Sequence, residues 1–162
     1  MTLSIRSVTA QDIDTITQIE ALCFPIAEAA SFATFKERIE TFPDCFFVAE
    51  YQGKMIGFIN GCCTQDKTIS DKLFESASSH DPKGIYQAIF GLDVLPEYRR
   101  QGVAALLMQH MIAAAKTRGC KGVILTCKKQ LIPYYSKFGY TNQGLSHSVH
   151  GGATWYDMIL EF

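Results

Sequence analysis

Six residues, Arg99-Arg100-Gln101-Gly102-Val103-Ala104, have the types and spacing to hold an anion. They follow a segment ending Leu92-Asp93-Val94-Leu95-Pro96. They lead into a run carrying Val103, Leu106, Leu107, Met111 and Ala114 at the i, i+3, i+4 spacing of an apolar helical stripe. A helix N-terminus presents backbone N–H groups without intrahelical partners at the positive end of the macrodipole. Gly102 removes a side chain at that end, and Arg99 and Arg100 add fixed positive charge, which together make a phosphate cradle. Neither G-x-x-x-x-G-K-[ST] nor G-x-G-x-x-G occurs, so the triphosphate loop and the dinucleotide turn are both excluded. The helix closes with Lys116, Arg118 and Gly119, a basic last turn followed by a residue suited to a left-handed cap.

The elements that must position this turn are legible on either side of it. Residues 3–8 alternate as a first strand, and Thr9 with Asp12 forms a capping box for a helix whose Ile13, Ile16, Ile19 and Cys23 share a face until Phe24-Pro25 stops it. Ser31 caps a second helix with Phe32, Phe35, Ile39 and Phe42 on its inner stripe. Strands at residues 45–51 and 54–62 form a hairpin through Gln52-Gly53, and a polar insert at residues 64–83 contains a short helix around Ile69, Leu73 and Phe74. A strand at residues 86–94 precedes the cradle. The apolar run at residues 122–127 reads as a strand buried on both faces, parallel to residues 86–94 across the crossover helix. A short helix at residues 131–138 and strands at residues 140–149 and 153–162 complete the chain.

The 162 residues suffice for one domain, 1–162, with a substantial core. They are 48% hydrophobic with a net charge of −1, which argues against a nucleic-acid partner. No apolar run reaches membrane-spanning length, and no secretory signal is visible at Met1. The six cysteines show no metal-ligand spacing and read as small core residues of a reduced, cytoplasmic protein that binds no metal. The expected assembly is a monomer or homodimer.

The pattern Arg99-x-x-Gly102-x-Ala104, after a strand and Pro96 and before a capped helix, resembles the acetyl-CoA signature Gln/Arg-x-x-Gly-x-Gly/Ala of the GNAT acetyltransferase superfamily. The element order β-α-α-β-β-β-α-β-α-β-β resembles the topology of that superfamily over the whole chain. The implied fold is α/β (α+β): a mixed, mostly antiparallel sheet with a central parallel strand pair splayed around the acetyl-CoA site, and helices on both faces. The resemblance implies acetyl-CoA as cosubstrate and CoA as product, bound by Leu92, Asp93, Val94, Arg99, Arg100, Gln101, Gly102, Val103, Ala104 and Cys127. The run from Leu125 to Tyr140 is further similar to serotonin (arylalkylamine) N-acetyltransferases, as are the surroundings of Phe24, the Phe58-Ile59-x-Gly61 strand and the polar insert. That family acetylates primary amines by direct attack.

By this resemblance Tyr135 is the acid that protonates the departing thiolate, and a tyrosine near pKa 10 keeps its proton at neutral pH until then. The structural alternative is a core aromatic with a satisfied hydroxyl. Phe24, Phe32, Phe90, His150, Trp155 and Tyr156 fall in segments that line the acceptor pocket in the resembling enzymes, which implies a small apolar or aromatic primary amine. Two positions depart from the family. Lys128 stands where many members have Asn. Ala88 and Phe90 stand where the serotonin enzymes carry a histidine pair that removes the amine proton, so water along the splayed strands is left to take it. Asp93 is expected to face away from the acetyl group, since strand side chains alternate. His147 and His150 read as solvated loop residues, His110 as packing, and Cys127 as a buried thiol in preference to an acyl carrier. A protein or peptide amine acetyltransferase, or a non-catalytic acyl-CoA-binding module, shares the cradle; Tyr135 argues against the second.

Overall fold

The structure, a computed structural model, describes residues 2–162. β1 (Ser4–Ser7) pairs antiparallel with β2 (Phe46–Tyr51), and β2 with β3 (Lys54–Asn60). Gln52 (φ 52°) and Gly53 (φ 76°) both occupy the left-handed region, as a two-residue hairpin turn matched to strand twist requires. Between β1 and β2 lie α1 (Ile13–Cys23) and α2 (Phe32–Thr41). The Thr9 N–H donates to Asp12 Oδ2 at 2.8 Å ahead of α1, and the Thr34 N–H donates to Ser31 Oγ at 3.2 Å at the start of α2. Both expected caps are therefore made.

The strand expected over residues 86–94 is divided. β5 (Tyr86–Ile89) runs parallel to β7 (Gly122–Cys127), with Ile89 opposite Leu125 as the last pair. After Phe90 the chain leaves β7, and β6 (Gly91–Val94) pairs antiparallel with β3. β7 meanwhile continues through Thr126 and Cys127 against β9 (Tyr156–Glu161). The result is two sheets, ordered β1-β2-β3-β6 and β4-β5-β7-β9-β8, that part on either side of Phe90. β4 (Cys63–Thr64) and β8 (Thr141–Leu145) are the edges of the second sheet. β6 is an edge of the first, so one side of its backbone faces the parting.

α4 (Val103–Thr117) crosses between β6 and β7 and packs on both sheets, burying Val103, Leu107, Met108, Met111 and Ala115. Its C-terminus meets Gly119 at φ +83°, the left-handed cap read from the sequence. α1 packs against β3 and β6, and β2 and β3 are buried at consecutive positions, as strands covered on both faces must be. Two short helices, α3 (Asp71–Glu75) in the polar insert and α5 (Ile132–Ser136) after β7, frame the opening between the sheets.

Candidate active site

Where β6 and β7 separate, they leave a cavity of about 260 Å³. Ile89, Phe90, Gly91 and Leu92 line one side and Leu125, Thr126 and Cys127 the other. Phe24 and Glu28 from the segment between α1 and α2, Phe74 from α3, and His150 and Trp155 from the last loop close it outward. Phe24, Phe90, His150 and Trp155 are thus brought together, as the sequence indicates. Phe32 is not. It occupies the first position of α2 and is 45% exposed, so the buried stripe begins one turn later at Phe35. Tyr156 is half-buried on β9 and outside the cavity wall, and His147 is exposed on the last loop.

Tyr135, on α5, lines the cavity and packs edge-on against Tyr134 and Tyr140 at 5.2 and 6.0 Å. Burial, then the neighbouring Tyr134, pushes its hydroxyl above the ordinary phenol value, which keeps the proton in place. Among the described residues that hydroxyl has no protein hydrogen-bond partner, whereas Tyr140, which is core, donates to Met108 Sδ at 3.2 Å. Cys127 is 2% exposed and burial pushes its thiol up to about 11, so at neutral pH it is a packed thiol without nucleophilic thiolate.

The outer wall is tied across the chain. Lys128 Nζ lies 2.8 Å from Glu28 Oε2 and 5.7 Å from the centre of the Trp155 ring. His150 Nε2 lies 2.9 Å from the Glu28 carbonyl, and Trp155 Nε1 donates to the His150 carbonyl at 2.9 Å. Lys128 therefore links the segment between α1 and α2 to the last loop.

The segment read as an anion cradle stands at the head of α4. Gly102 has φ +85° and nothing within 4 Å of the place a Cβ would take, Arg100 has φ +62°, and no side chain caps the helix. The orphaned N–H groups of a 15-residue helix are thus open to an anion beside the exposed Arg100, which fits a pyrophosphate. Arg99 is turned back, its Nε donating to the Val94 carbonyl at 3.0 Å, and Gln101 donates to the Glu97 carbonyl at 3.2 Å. Val103 is buried in the core and Ala104 half-buried; both contribute backbone at the cradle.

Two positions bear on proton removal. Ala88 is fully buried beneath the site and does not line the cavity, so a histidine there would have no access to it. Asp93 does face away from the opening, yet its carboxyl is turned to Glu20 on α1, which lines the cavity. Sequence reading passed over Glu20. Its signal was present: Glu20 follows Ile16 by four residues and so falls on the buried face of α1. Arg38, three residues after Phe35 on α2, is buried in the same way.

Residues 13–140 match the family described as Acetyltransferase (GNAT) family. The chain is 26% identical, over 98% of its length, to a Bacillus subtilis (strain 168) protein named Probable hydrolase YhcX, of which it spans 32%. It is 29% identical over 63% of its length to human N-acetyltransferase 8, of which it spans 40%. With the serotonin N-acetyltransferase of Mesocricetus auratus it shares 23% identity over 94% of this chain and 74% of that protein. A solved structure described as GphF GNAT-like decarboxylase in complex with isobutyryl-CoA superimposes with a TM-score of 0.81 at 21% identity over 98% of each chain.

Proposed function

This chain belongs to the acetyltransferase (GNAT) family, and from that premise we propose that it moves an acetyl group from acetyl-CoA to the primary amine of a small apolar or aromatic acceptor. Acetyl-CoA supplies the acetyl group as a thioester. The carrying observation is Tyr135, which lines the cavity between the parted sheets and whose hydroxyl has no protein partner among the described residues. Tyr140, by contrast, is held in the core with its hydroxyl on Met108 Sδ.

The rest of the site supports a direct transfer with both substrates bound. The head of α4 holds the pyrophosphate, and the free edge of β6 offers backbone groups to an extended chain. Phe24, Phe74, Phe90 and Trp155 present aromatic faces to the acceptor, and the Lys128–Glu28 pair keeps the wall closed behind it. Tyr135 gives its proton to the sulfur as the thiolate leaves. The acylation partner is read directly by incubating the protein with acetyl-CoA and an equimolar mixture of arylalkylamines, polyamines and peptides, and identifying the acetylated product by mass spectrometry. An N-acetyl arylalkylamine is the expected product; acetylated peptide alone would replace this acceptor class with a protein one.

A further inference from the structure

Among the described residues, three buried carboxyl oxygens at or behind the cavity wall have no hydrogen-bond partner: Glu20 Oε1 and both oxygens of Asp93. Glu20 is 5% exposed and lines the cavity, while Asp93 is 1% exposed and sits behind it. Gly91, in the cavity wall, marks where they converge. A Cβ there would lie 3.1 Å from Asp93 Oδ1, 3.3 Å from Asn60 Nδ2 and 3.8 Å from Glu20 Oε1. Asn60 is fully buried and its Nδ2 is also without a partner, aimed at the same point.

Both carboxylates cannot stay ionised here. The cation facing them is Arg38 on α2, and its guanidinium is already engaged. Nη1 donates to Asn60 Oδ1 at 2.9 Å, Nη2 donates to the Phe74 carbonyl at 3.0 Å, and the group lies 4.8 and 4.7 Å from the Phe74 and Phe90 ring centres. Burial lowers Arg38 to about 10, which leaves it charged at neutral pH. The other titratable groups around the pair are Cys23 on α1, Cys62 after β3 and Tyr135 on α5, none of them a cation. One negative charge balances Arg38, so the second carboxyl keeps its proton. Burial, then the charge of Glu20, raises Asp93 well above the usual carboxylate range and marks it as the protonated member. Its O–H then donates to Glu20, which accounts for one orphaned oxygen of each residue and leaves the other Asp93 oxygen facing the Asn60 amide.

We propose that Glu20 is the base that takes the proton from the acceptor amine, with Asp93 as a positioning residue that keeps the shared proton. The proposal rests on the amine-acetylation reading above. As the new N–C bond forms and the C–S bond breaks, the amine proton passes to the Glu20 carboxylate and the sulfur takes the Tyr135 proton. Solvent then returns one proton from Glu20 to Tyr135, and the net products are the N-acetyl amine and CoA.

The test compares Glu20→Gln and Asp93→Asn with the parent across pH. Glu20→Gln retains an acceptor for the Ala30 N–H, which now donates to Glu20 Oε2 at 2.9 Å, so the fold and acetyl-CoA binding should persist. Its kcat/KM should fall by about 10²–10⁴ at neutral pH, with the deficit narrowing as pH rises toward the pKa of the acceptor. Asp93→Asn retains a neutral donor and should stay within about tenfold of the parent. Glu20→Gln turnover within about threefold of the parent, with the same pH profile, would overturn the base. Asp93→Asn falling as far as Glu20→Gln would overturn the placement of the shared proton. If the parent acetylates no amine, the reading above and the base role fall together, but the shared proton is still tested by stability. A raised carboxyl contributes stability below its unfolded value near pH 4, and that contribution is lost as pH rises through the folded value. The melting temperature of Asp93→Asn relative to the parent should therefore climb with pH, and a constant difference would show Asp93 to be ionised throughout.

Discussion

Lys128 Nζ and Glu28 Oε2 are 2.8 Å apart, and through them the end of β7 grips the segment between α1 and α2 across the mouth of the cavity. The Glu28 side chain is only 9% exposed, so the pair is better shielded than a surface ion pair. Lys128 thus spends its charge on the wall of the cavity.

Lys128→Ala should loosen that wall while leaving the cradle intact. Stability should fall by about 1 kcal/mol, or roughly 2–4 °C for a chain of this size. The acceptor KM should rise severalfold, and the melting rise on adding acetyl-CoA should be unchanged. Steady-state kinetics with each substrate varied in turn separates the two effects; a change confined to acetyl-CoA would return Lys128 to the cofactor.

Gly102→Glu places a side chain and a negative charge in open space at the head of α4. Gly102→Ala is the control, because φ +85° strains any side chain by roughly 1 kcal/mol. Both variants should melt lower than the parent. Acetyl-CoA at a hundredfold excess over its Kd should still raise the alanine variant by about 5–10 °C, from about 2.7 kcal/mol of binding, and should leave the glutamate variant unmoved. A thermal-shift titration reads this, and an intact rise in Gly102→Glu would move the pyrophosphate elsewhere.

Tyr135→Phe should slow chemistry by about 10²–10⁴ with acetyl-CoA binding retained. Since the hydroxyl makes no protein hydrogen bond, its loss should change stability by less than about 0.5 kcal/mol. Single-turnover rates alongside melting curves check both halves. An unchanged chemical rate would make Tyr135 a packing residue.

The sequence carried the fold in its periodicities and punctuation. Thr9, Ser31, Gln52-Gly53, Gly102 and Gly119 each mark a boundary that the structure keeps, because caps and left-handed turns depend on local backbone chemistry. The break at Phe90 was not legible. Residues 86–94 have continuous strand character, and only the competition of β7 and β3 for the same strand divides them. The open helix head at Gly102 was visible for a similar local reason, while the approach of Glu20 to Asp93 was not, since they meet only in three dimensions. Attention to charged residues on buried stripes would have found Glu20 on α1 and Arg38 on α2 before any coordinates.

The most direct measurement is the rate of free-thiol release from acetyl-CoA with phenethylamine, tryptamine, spermidine and a lysine peptide as acceptors, each at several concentrations. The cavity of about 260 Å³ with its aromatic wall predicts that kcat/KM is highest for phenethylamine or tryptamine. Faster turnover of the lysine peptide, or acceptor-independent thiol release alone, would contradict the assignment of a small-amine acetyltransferase.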